Sequence, residues 1–442
     1  MEFITDRQTL DDLNITGRYK SNSIYSLFNK TITVGGGRQL EQLFLNPLID
    51  VEAINERSKV FSFFGNLYLN LPFDSKEFEN TENYLLTPTN KSRWVAGFER
   101  VKNKFLHTVV NDPTHVVLQE GLEQTIVLFH RIKTMMEKIT ENSENTPYHD
   151  TAMRWNNFLN AAKFQPAWEA MVDFPLSFQK MMRFDYVFRS LFYEEIRELL
   201  EEIYKIDVYI AVSTVGRERG FVYANAIEKK YRQLELKGVG HPGIAGAVTN
   251  DVTIDSEKNV FFLTGANMAG KSTLMKSIGV ALYLAHMGFP VSAEHMKFSI
   301  HDGMYTSINV SDNLAKGYSH FYAEVLRVKD IAKQVASNKQ LLVIFDELFK
   351  GTNVKDASDG TVAVVDAFSK RNSSYIISTH IVEAGELLKD NDRLFFKYLP
   401  TIVVGNRPTY TYTLQEGITD DRQGMMIIEN ENILDIIKGD NV

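Results

Sequence analysis

The sequence has 442 residues, of which 44% are hydrophobic and 24% charged, proportions typical of a soluble globular protein with two or three domains. It contains no cysteine, which excludes disulfides, thiolate zinc sites and cysteine nucleophiles. Its formal net charge is −8, so any contact with nucleic acid would have to use a local basic patch.

No targeting or membrane segment is predicted. Residues 1–7 lack a basic region followed by an apolar stretch, so we expect no signal peptide. The longest apolar run near a predicted helix, residues 278–290, is interrupted by His286 and is too short to span a bilayer. The sequence therefore predicts a cytoplasmic protein with no membrane partner.

The first half of the chain has the pattern of amphipathic helices. Apolar residues recur at intervals of three, four and seven over residues 118–139 and again over residues 192–210. The polar stretch 140–147 predicts a loop between helices. There is no internal repeat, and an all-α N-terminal domain is expected.

The pattern changes after about residue 230. Short apolar runs at 260–263, 341–345 and 375–378 alternate with helical segments, which is typical of parallel strands buried on both faces. The predicted fold class is therefore mixed, with a helical domain at 1–228 followed by an α/β domain at 229–442.

Residues 264–273 carry a phosphate-binding motif. Gly265, Gly270, Lys271 and Ser272 fit the pattern G-x-x-x-x-G-K-[ST], in which backbone N–H groups face phosphate oxygens. In this pattern the lysine reaches the terminal phosphates and the serine hydroxyl ligates Mg²⁺. A strand precedes the loop and a helix is predicted at 272–285, whose positive end would face the phosphates. The motif predicts ATP and Mg²⁺ as cofactors.

Three further polar residues follow predicted strands. Asp346 follows one buried run and can hold Mg²⁺, while Glu347 beside it can orient or deprotonate an attacking water. This pair predicts ATP hydrolysis as well as binding. His380 follows the next run and is either an ordinary loop residue or a sensor of the terminal phosphate. No pair of histidines has metal-ligand spacing.

These residues resemble the MutS family of DNA mismatch repair ATPases. The Asn267-Met268 pair inside the glycine loop is typical of that family, and residues 241–242 and 250–252 resemble its entry to the ATPase domain. Residues 312–324 resemble the family's signature segment, 345–353 its acid pair and Gly-Thr turn, and 378–380 its histidine switch. The resemblance implies an ABC-type P-loop ATPase.

The resemblance also assigns roles to residues. The nucleotide-binding set comprises Gly265, Asn267, Met268, Ala269, Gly270, Lys271, Ser272 and Thr273. Ser319 would reach the nucleotide of the partner subunit in trans, while Ser272 and Asp346 would hold the metal. Glu347 and His380 would be catalytic. A homodimer that holds double-stranded or branched DNA between helical arms is implied.

The N-terminal half resembles the family's core and lever helices. Residues 33–40, 45–48 and 50–57 carry the match. Another interpretation of the three glycines at 35–37 is a turn between two helices, with Pro47 ending the second. These residues therefore indicate fold rather than chemistry.

Four departures from a mismatch-repair MutS are expected. The chain begins where the core domain would begin, so the domain with the mismatch wedge is expected to be absent and the DNA clamp reduced. The aromatic that stacks on adenine is replaced near Ala247 or Val248, so recognition of the base is in question. The C-terminal helices that strengthen the dimer are expected to be truncated after residues 424–428.

Two other interpretations compete with a DNA-dependent ATPase. A protein-interaction or scaffold ATPase that never contacts DNA is consistent with the acidic net charge and the missing wedge. Five basic residues would either contact phosphates or form a solvated helix face. They are Lys91, Arg93, Arg100, Lys102 and Lys104. An ABC transporter ATPase is disfavoured because membrane-length apolar segments are lacking.

Overall fold

The computed structural model describes residues 2–17, 22–87, 113–266, 268–308, 320–404, 407–419 and 432–438. The chain forms two compact units. The first, here the sheet unit, comprises Met1–Phe28, Leu43–Ser58 and Val215–Val442, and the second, the helical unit, comprises Asn29–Gln42 and Lys59–Thr214. The protein is thus of mixed helix and sheet, as the sequence predicts.

Fifteen helices can be numbered along the described residues. They are α1 (Arg7–Asp12), α2 (Ile24–Phe28), α3 (Val34–Leu45), α4 (Val51–Leu67), α5 (Ser75–Leu86), α6 (Pro113–Asn142), α7 (His149–Leu159), α8 (Gln165–Glu169), α9 (Phe178–Tyr186), α10 (Tyr193–Arg219), α11 (Lys271–His286), α12 (His320–Ala336), α13 (Val354–Ser369), α14 (Val382–Leu387) and α15 (Ile433–Lys438). Short 3₁₀ turns lie at Ala170–Asp173 and Lys229–Tyr231, and a π-helical turn at Val187–Leu191.

The described residues also contain fourteen strands. They are β1 (Val222–Tyr223), β2 (Asn225–Ile227), β3 (Leu234–Val239), β4 (Asn250–Ile254), β5 (Val260–Gly265), β6 (Pro290–Val291), β7 (His295–Ser299), β8 (Gly303–Ser307), β9 (Leu341–Asp346), β10 (Ser374–Ser378), β11 (Leu394–Leu399), β12 (Thr401–Val404), β13 (Arg407–Tyr410) and β14 (Gln415–Glu416). The three strands predicted from apolar runs are β5, β9 and β10.

A six-stranded sheet is the centre of the sheet unit. Its order is β14-β11-β5-β10-β9-β8, and all neighbours are parallel except the β14 edge. Every residue of β5 and β10 is buried, as is every residue of β9 before Asp346. Burial on both faces explains why these strands have continuous apolar sequences rather than alternating ones.

The strand register brings three chain segments to one edge of this sheet. Ser378 at the end of β10 pairs with Asp346 at the end of β9 on one side and with Leu263 of β5 on the other. In open parallel sheets, ligands bind beyond the carboxyl ends of the strands. The glycine loop, the acid pair and the histidine segment therefore leave the sheet side by side.

Smaller sheets and the N-terminal segment complete the sheet unit. The strands β2-β7-β3-β4 form a second sheet, β12 pairs with β13, and β1 pairs with β6. Ile4 forms a parallel bridge with Gly303 at the start of β8. Residues close to the N-terminus thus belong to the same compact unit as residues 215–442.

The helical unit is held together by aromatic packing. Phe129, Phe164 and Phe188 are fully buried, and their rings contact in pairs at 5.3–5.5 Å between centroids. The predicted loop at 140–147 begins within the last turn of α6 and reaches almost to α7, which starts at His149. The helix predicted over residues 192–210 is the first part of α10.

The alternative interpretation of residues 35–37 as a turn is wrong. These glycines lie inside α3, and a Cβ atom at Gly35 would collide with the Tyr204 ring of α10. A Cβ at Gly36 would collide with the Asp207 carboxylate, which accepts hydrogen bonds from Ile32 N at 3.0 Å and Thr33 N at 2.7 Å. The glycines permit close helix packing rather than a reversal of the chain.

Candidate functional site

The loop between β5 and α11 has the backbone that the phosphate motif requires. β5 ends at Gly265 and α11 begins at Lys271, with Gly270 at φ +100° as the residue before the helix. This left-handed value favours glycine, and an added Cβ would also lie 2.9 Å from the Tyr412 ring. Free N–H groups at the start of α11 point out of the helix end, where they can meet an anion.

The Lys271 ammonium group folds back over the loop. Its Nζ donates hydrogen bonds to Gly265 O at 2.7 Å and Ala266 O at 3.1 Å, and the side chain is buried. Burial lowers the pKa of Lys271, and the nearby Glu347 and Asp346 carboxylates oppose that shift. A buried cation whose hydrogen bonds go to two carbonyl oxygens is well placed to bind a phosphate, which would add a full negative charge as partner.

The other predicted loop residues differ in exposure. Met268 is 74% exposed and has φ +69°, whereas Ala269 is buried. Thr273 lies one turn into α11 and lines the cavity beside the loop. Asn267 lies outside the described residues.

Asp346 connects the glycine loop to the sheet edge. Its Oδ2 accepts a hydrogen bond from Ser272 Oγ at 2.5 Å, and its Oδ1 accepts one from Ser378 Oγ. The predicted metal ligands Ser272 and Asp346 are therefore in direct contact. A hydroxyl and one carboxylate are the few protein ligands that Mg²⁺ needs when phosphate oxygens and water supply the others.

Glu347 and His380 lie next to each other at the same edge. The nearest approach is 3.9 Å between His380 Nδ1 and Glu347 Oε1, and the two side chains are 49% and 22% exposed. This separation is longer than a hydrogen bond, so the two side chains do not hydrogen-bond each other. Glu347 has φ +56°, an uncommon conformation for a residue other than glycine.

A cavity of about 480 Å³ lies beside the loop. Its wall includes Ala269, Gly270 and Thr273 from the loop and α11, together with Ala247 and Val248 from the segment before β4. Larger side chains in the lining include His241, Ile244, Leu399 and Tyr412. The wall offers apolar surface and aromatic faces, which suit a planar ring.

Tyr412 and His241 line the cavity, although no binding role is predicted for either from the sequence. Tyr412 has φ +57°, and Asn250 holds its turn by donating to Tyr412 O at 2.9 Å and accepting from Leu414 N at 2.7 Å. Burial lowers the pKa of His241, with a smaller contribution from Lys276. Tyr412 therefore lines the same cavity as Ala247 and Val248, although it lies far from them in the sequence.

Comparisons with known proteins agree with this geometry. The sequence profile of MutS domain III matches residues 8–213, and that of MutS domain V matches residues 261–438. The chain belongs to the MutS family. The domain V match contains the glycine loop, the acid pair and His380.

Similar proteins include two that are named DNA mismatch repair protein MutS. The protein of Thermotoga maritima is 29% identical over 247 residues, which cover 55% of this chain and 30% of that protein. The protein of Lactococcus lactis subsp. cremoris is 28% identical over 239 residues, which cover 52% of this chain and 28% of that protein. The chain thus matches under a third of the length of these MutS relatives.

Several residues named in the sequence analysis lie outside the described residues. They are Asn267, Ser319, the basic residues Lys91, Arg93, Arg100, Lys102 and Lys104, and the segment 424–428. The description stops at Ile308, before the signature segment, and resumes inside that segment at His320, where α12 begins. The trans role of Ser319 stays a prediction.

Two features are absent from the part of the chain that the structure describes. No three histidine, aspartate or glutamate side chains gather there in an arrangement that holds a metal ion. None of the described helices is both long and apolar enough to cross a bilayer.

Proposed function

We propose that this MutS-family chain is an ATPase that binds ATP with Mg²⁺ and hydrolyses it to ADP and phosphate. The observation that carries the proposal is the 2.5 Å hydrogen bond between Ser272 Oγ and Asp346 Oδ2. It joins the hydroxyl of a phosphate-binding loop to the acid of a neighbouring strand, as a shared metal site requires.

The phosphates would lie along the loop and the start of α11. Backbone N–H groups there and the Lys271 ammonium would neutralise their charge. The proposed contacts come from Gly265, Asn267, Met268, Ala269, Gly270, Lys271, Ser272 and Thr273. Lys271 would exchange its bonds to Gly265 O and Ala266 O for phosphate oxygens.

The base would occupy the 480 Å³ cavity against the Tyr412 ring. Tyr412 is 44% exposed, so a face of the side chain is free to stack. Stacking of a base on an aromatic ring contributes about 1–3 kcal/mol in other nucleotide contacts. This assignment gives the chain a base contact although Ala247 and Val248 are aliphatic.

Magnesium would be held by Ser272 and Asp346, where it would neutralise charge on the terminal phosphates. Glu347 would orient the attacking water and take up its proton, because its carboxylate lies at the same edge and is partly exposed. His380 would donate a hydrogen bond to the terminal phosphate. These roles assign catalysis to Glu347 and His380.

We further propose a homodimer with a composite site. Ser319 of one subunit would contact the nucleotide bound by the other, so closure would depend on the terminal phosphate. The core and lever domain predicted at 1–228 would precede the ATPase domain predicted at 229–442, and its helical unit, Asn29–Gln42 and Lys59–Thr214, would move with this cycle. Cytoplasmic location stays a prediction from the sequence.

The helical arms would hold double-stranded or branched DNA, with a role in DNA repair or recombination. The support is the match to MutS domain III and the similarity to proteins named for DNA mismatch repair. The alternative is a scaffold switch that moves a protein partner without DNA. The net charge of −8 favours that alternative.

One experiment separates these functions. The ATPase rate is measured alone and with homoduplex, mismatched and branched DNA at low salt. Stimulation by one DNA class that weakens steeply as salt rises would support the DNA-dependent ATPase. Hydrolysis that no DNA stimulates, with no DNA binding at low salt, would favour the scaffold switch. Absence of ATP binding would refute both.

A further inference from the structure

Ser378, the last residue of β10, contacts both members of the acid pair. Its side chain is fully buried, and its hydroxyl donates a hydrogen bond to Asp346 Oδ1. The Glu347 N–H points at the same residue, 3.1 Å from Ser378 O and 3.3 Å from Ser378 Oγ. One serine therefore bonds the side chain of the first acid and the backbone of the second.

The bonds to Asp346 fix the plane of its carboxylate. Ser272 Oγ bonds Oδ2 and Ser378 Oγ bonds Oδ1, so the two oxygens have different partners. Ser272 is the exposed partner and lies in the first turn of α11, whereas Ser378 is buried in the sheet. When Ser272 turns to another ligand, Ser378 still orients the carboxylate.

The bonds to Glu347 support an unusual backbone conformation. Glu347 has φ +56°, which residues with a Cβ atom rarely adopt. Its N–H group is held by the end of β10, where Ser378 pairs in parallel register with Asp346. The direction in which the Glu347 side chain leaves the strand therefore depends on Ser378.

We propose that Ser378 is a positioning residue for the ATPase site, an inference that rests on the proposed function. Its hydroxyl keeps one oxygen of Asp346 turned toward the metal and keeps Glu347 turned toward the water. The Ser378 hydroxyl bonds Asp346 and Glu347, so it would act on the metal site through these two residues. Groups that hydrogen-bond a metal-binding carboxylate change metal affinity or activity about 10- to 100-fold when they are removed.

The test compares Ser378→Thr with Ser378→Val. These two variants add the same volume to a buried position and differ in whether a hydroxyl is present. Ser378→Ala adds no atoms and provides a third variant if the larger residues do not fold. Ser374→Ala is the matched control, because Ser374 is buried at the start of the same strand and its Oγ lies 3.4 Å from His301 Nε2, away from the acid pair.

Two quantities are measured for each protein. The first is the affinity for the β,γ-imido analogue of ATP, by calorimetry, with Mg²⁺ and with EDTA. The second is the ATPase rate over a range of Mg²⁺ concentrations. For Ser378→Val and Ser378→Ala we expect the increase in affinity caused by Mg²⁺ to be about tenfold smaller than in the unaltered protein. Their affinity in EDTA should be unchanged. Their half-maximal Mg²⁺ concentration should rise and their maximal rate should fall.

Ser378→Thr and Ser374→Ala should resemble the unaltered protein in both quantities. Equal behaviour of the threonine and valine variants, in a protein that responds normally to Mg²⁺, would overturn the role of Ser378 and leave the proposed ATPase standing. A loss of affinity in EDTA as large as that in Mg²⁺ would also overturn it, since that result indicates general damage. An unaltered protein that binds no nucleotide would instead refute the proposed function itself.

Discussion

The Asp12 carboxylate accepts a hydrogen bond from the Thr306 hydroxyl at 2.7 Å, although 294 residues separate them in the chain. The same Oδ2 atom accepts a second bond from Ile308 N at 3.0 Å. All three residues are buried, so the Asp12 carboxyl group and two polar groups satisfy one another away from water. The N-terminal helix α1 is thereby attached to β8 within the sheet unit.

We predict that Asp12→Ala lowers the free energy of unfolding by about 3 kcal/mol. The change leaves the Thr306 hydroxyl and the Ile308 N–H without this partner in a buried place. Urea unfolding of the variant measures the loss. Asp11→Ala is the control, because Asp11 is 55% exposed and lies 3.7 Å from Arg7 in a surface pair. Its effect should stay within about 0.5 kcal/mol, and an equal effect of both changes would contradict the prediction.

Acid should destabilise the sheet unit through two buried histidines. Burial lowers the pKa of His286 to about 3 and that of His301 to about 4. Both rings hydrogen-bond backbone carbonyl groups, since His286 Nδ1 lies 2.6 Å from Leu48 O and His301 Nδ1 lies 2.8 Å from Ser299 O. The folded protein therefore keeps both rings neutral at a pH where an unfolded chain would protonate them.

The sign of the effect follows from these lowered pKa values. Below the ordinary pKa of about 6.5 the unfolded chain binds protons that the folded chain does not, so stability present above pH 6.5 is lost as pH falls toward 4. Each histidine contributes a slope of about 1.4 kcal/mol per pH unit in that window. Urea unfolding at pH 7, 6 and 5 should show a shallower slope in His301→Gln. The same change at the exposed His295 is the control and should leave the slope as it is.

Lys271 and Glu347 should affect different steps. Lys271→Ala is expected to lose both nucleotide binding and hydrolysis, because a buried cation beside the phosphates is removed. Glu347→Gln should still bind ATP but hydrolyse it at least about 100-fold more slowly, since it cannot accept the proton of water. Calorimetry and phosphate release measure the two steps. Full activity in Glu347→Gln would exclude that acid as the base, and Glu386→Gln, an exposed surface change, should have no effect.

The part of this site that the sequence predicts is local. Gly265, Gly270, Lys271 and Ser272 are spaced by the geometry of one loop, and β5, β9 and β10 are buried on both faces, so their sequences are continuously apolar. Short-range backbone constraints of this kind leave a pattern in the sequence.

The features that the sequence does not predict depend on residues that are distant in the chain. Nothing in the sequence near Tyr412 indicates that it faces the loop, because its place depends on the turn held by Asn250. Residues 35–37 read as a turn because three glycines usually break a helix, and only the nearby Tyr204 and Asp207 of α10 explain them as helical. Close approach between helices is a tertiary property that spacing alone does not encode.

Tyr412 should determine how well the base binds. Tyr412→Ala is expected to weaken nucleotide binding about tenfold, which corresponds to about 1.4 kcal/mol of lost stacking. Tyr412→Phe keeps the ring and should bind almost as the unaltered protein does. Calorimetric titration with ATP and with triphosphate lacking a base measures the contribution. If the phenylalanine and alanine variants bind equally weakly, the ring does not stack on the base.

The composite site predicts a dependence on protein concentration. Because Ser319 would act on the nucleotide of a second subunit, a monomer lacks part of its site and should hydrolyse ATP slowly. The rate per chain should therefore rise with protein concentration until dimers saturate, with sedimentation reporting the dimer fraction in the same buffer. Ser319→Ala should reduce the rate at saturation and leave nucleotide binding by monomers unchanged. A constant rate per chain across the range where monomers become dimers would exclude a site completed in trans.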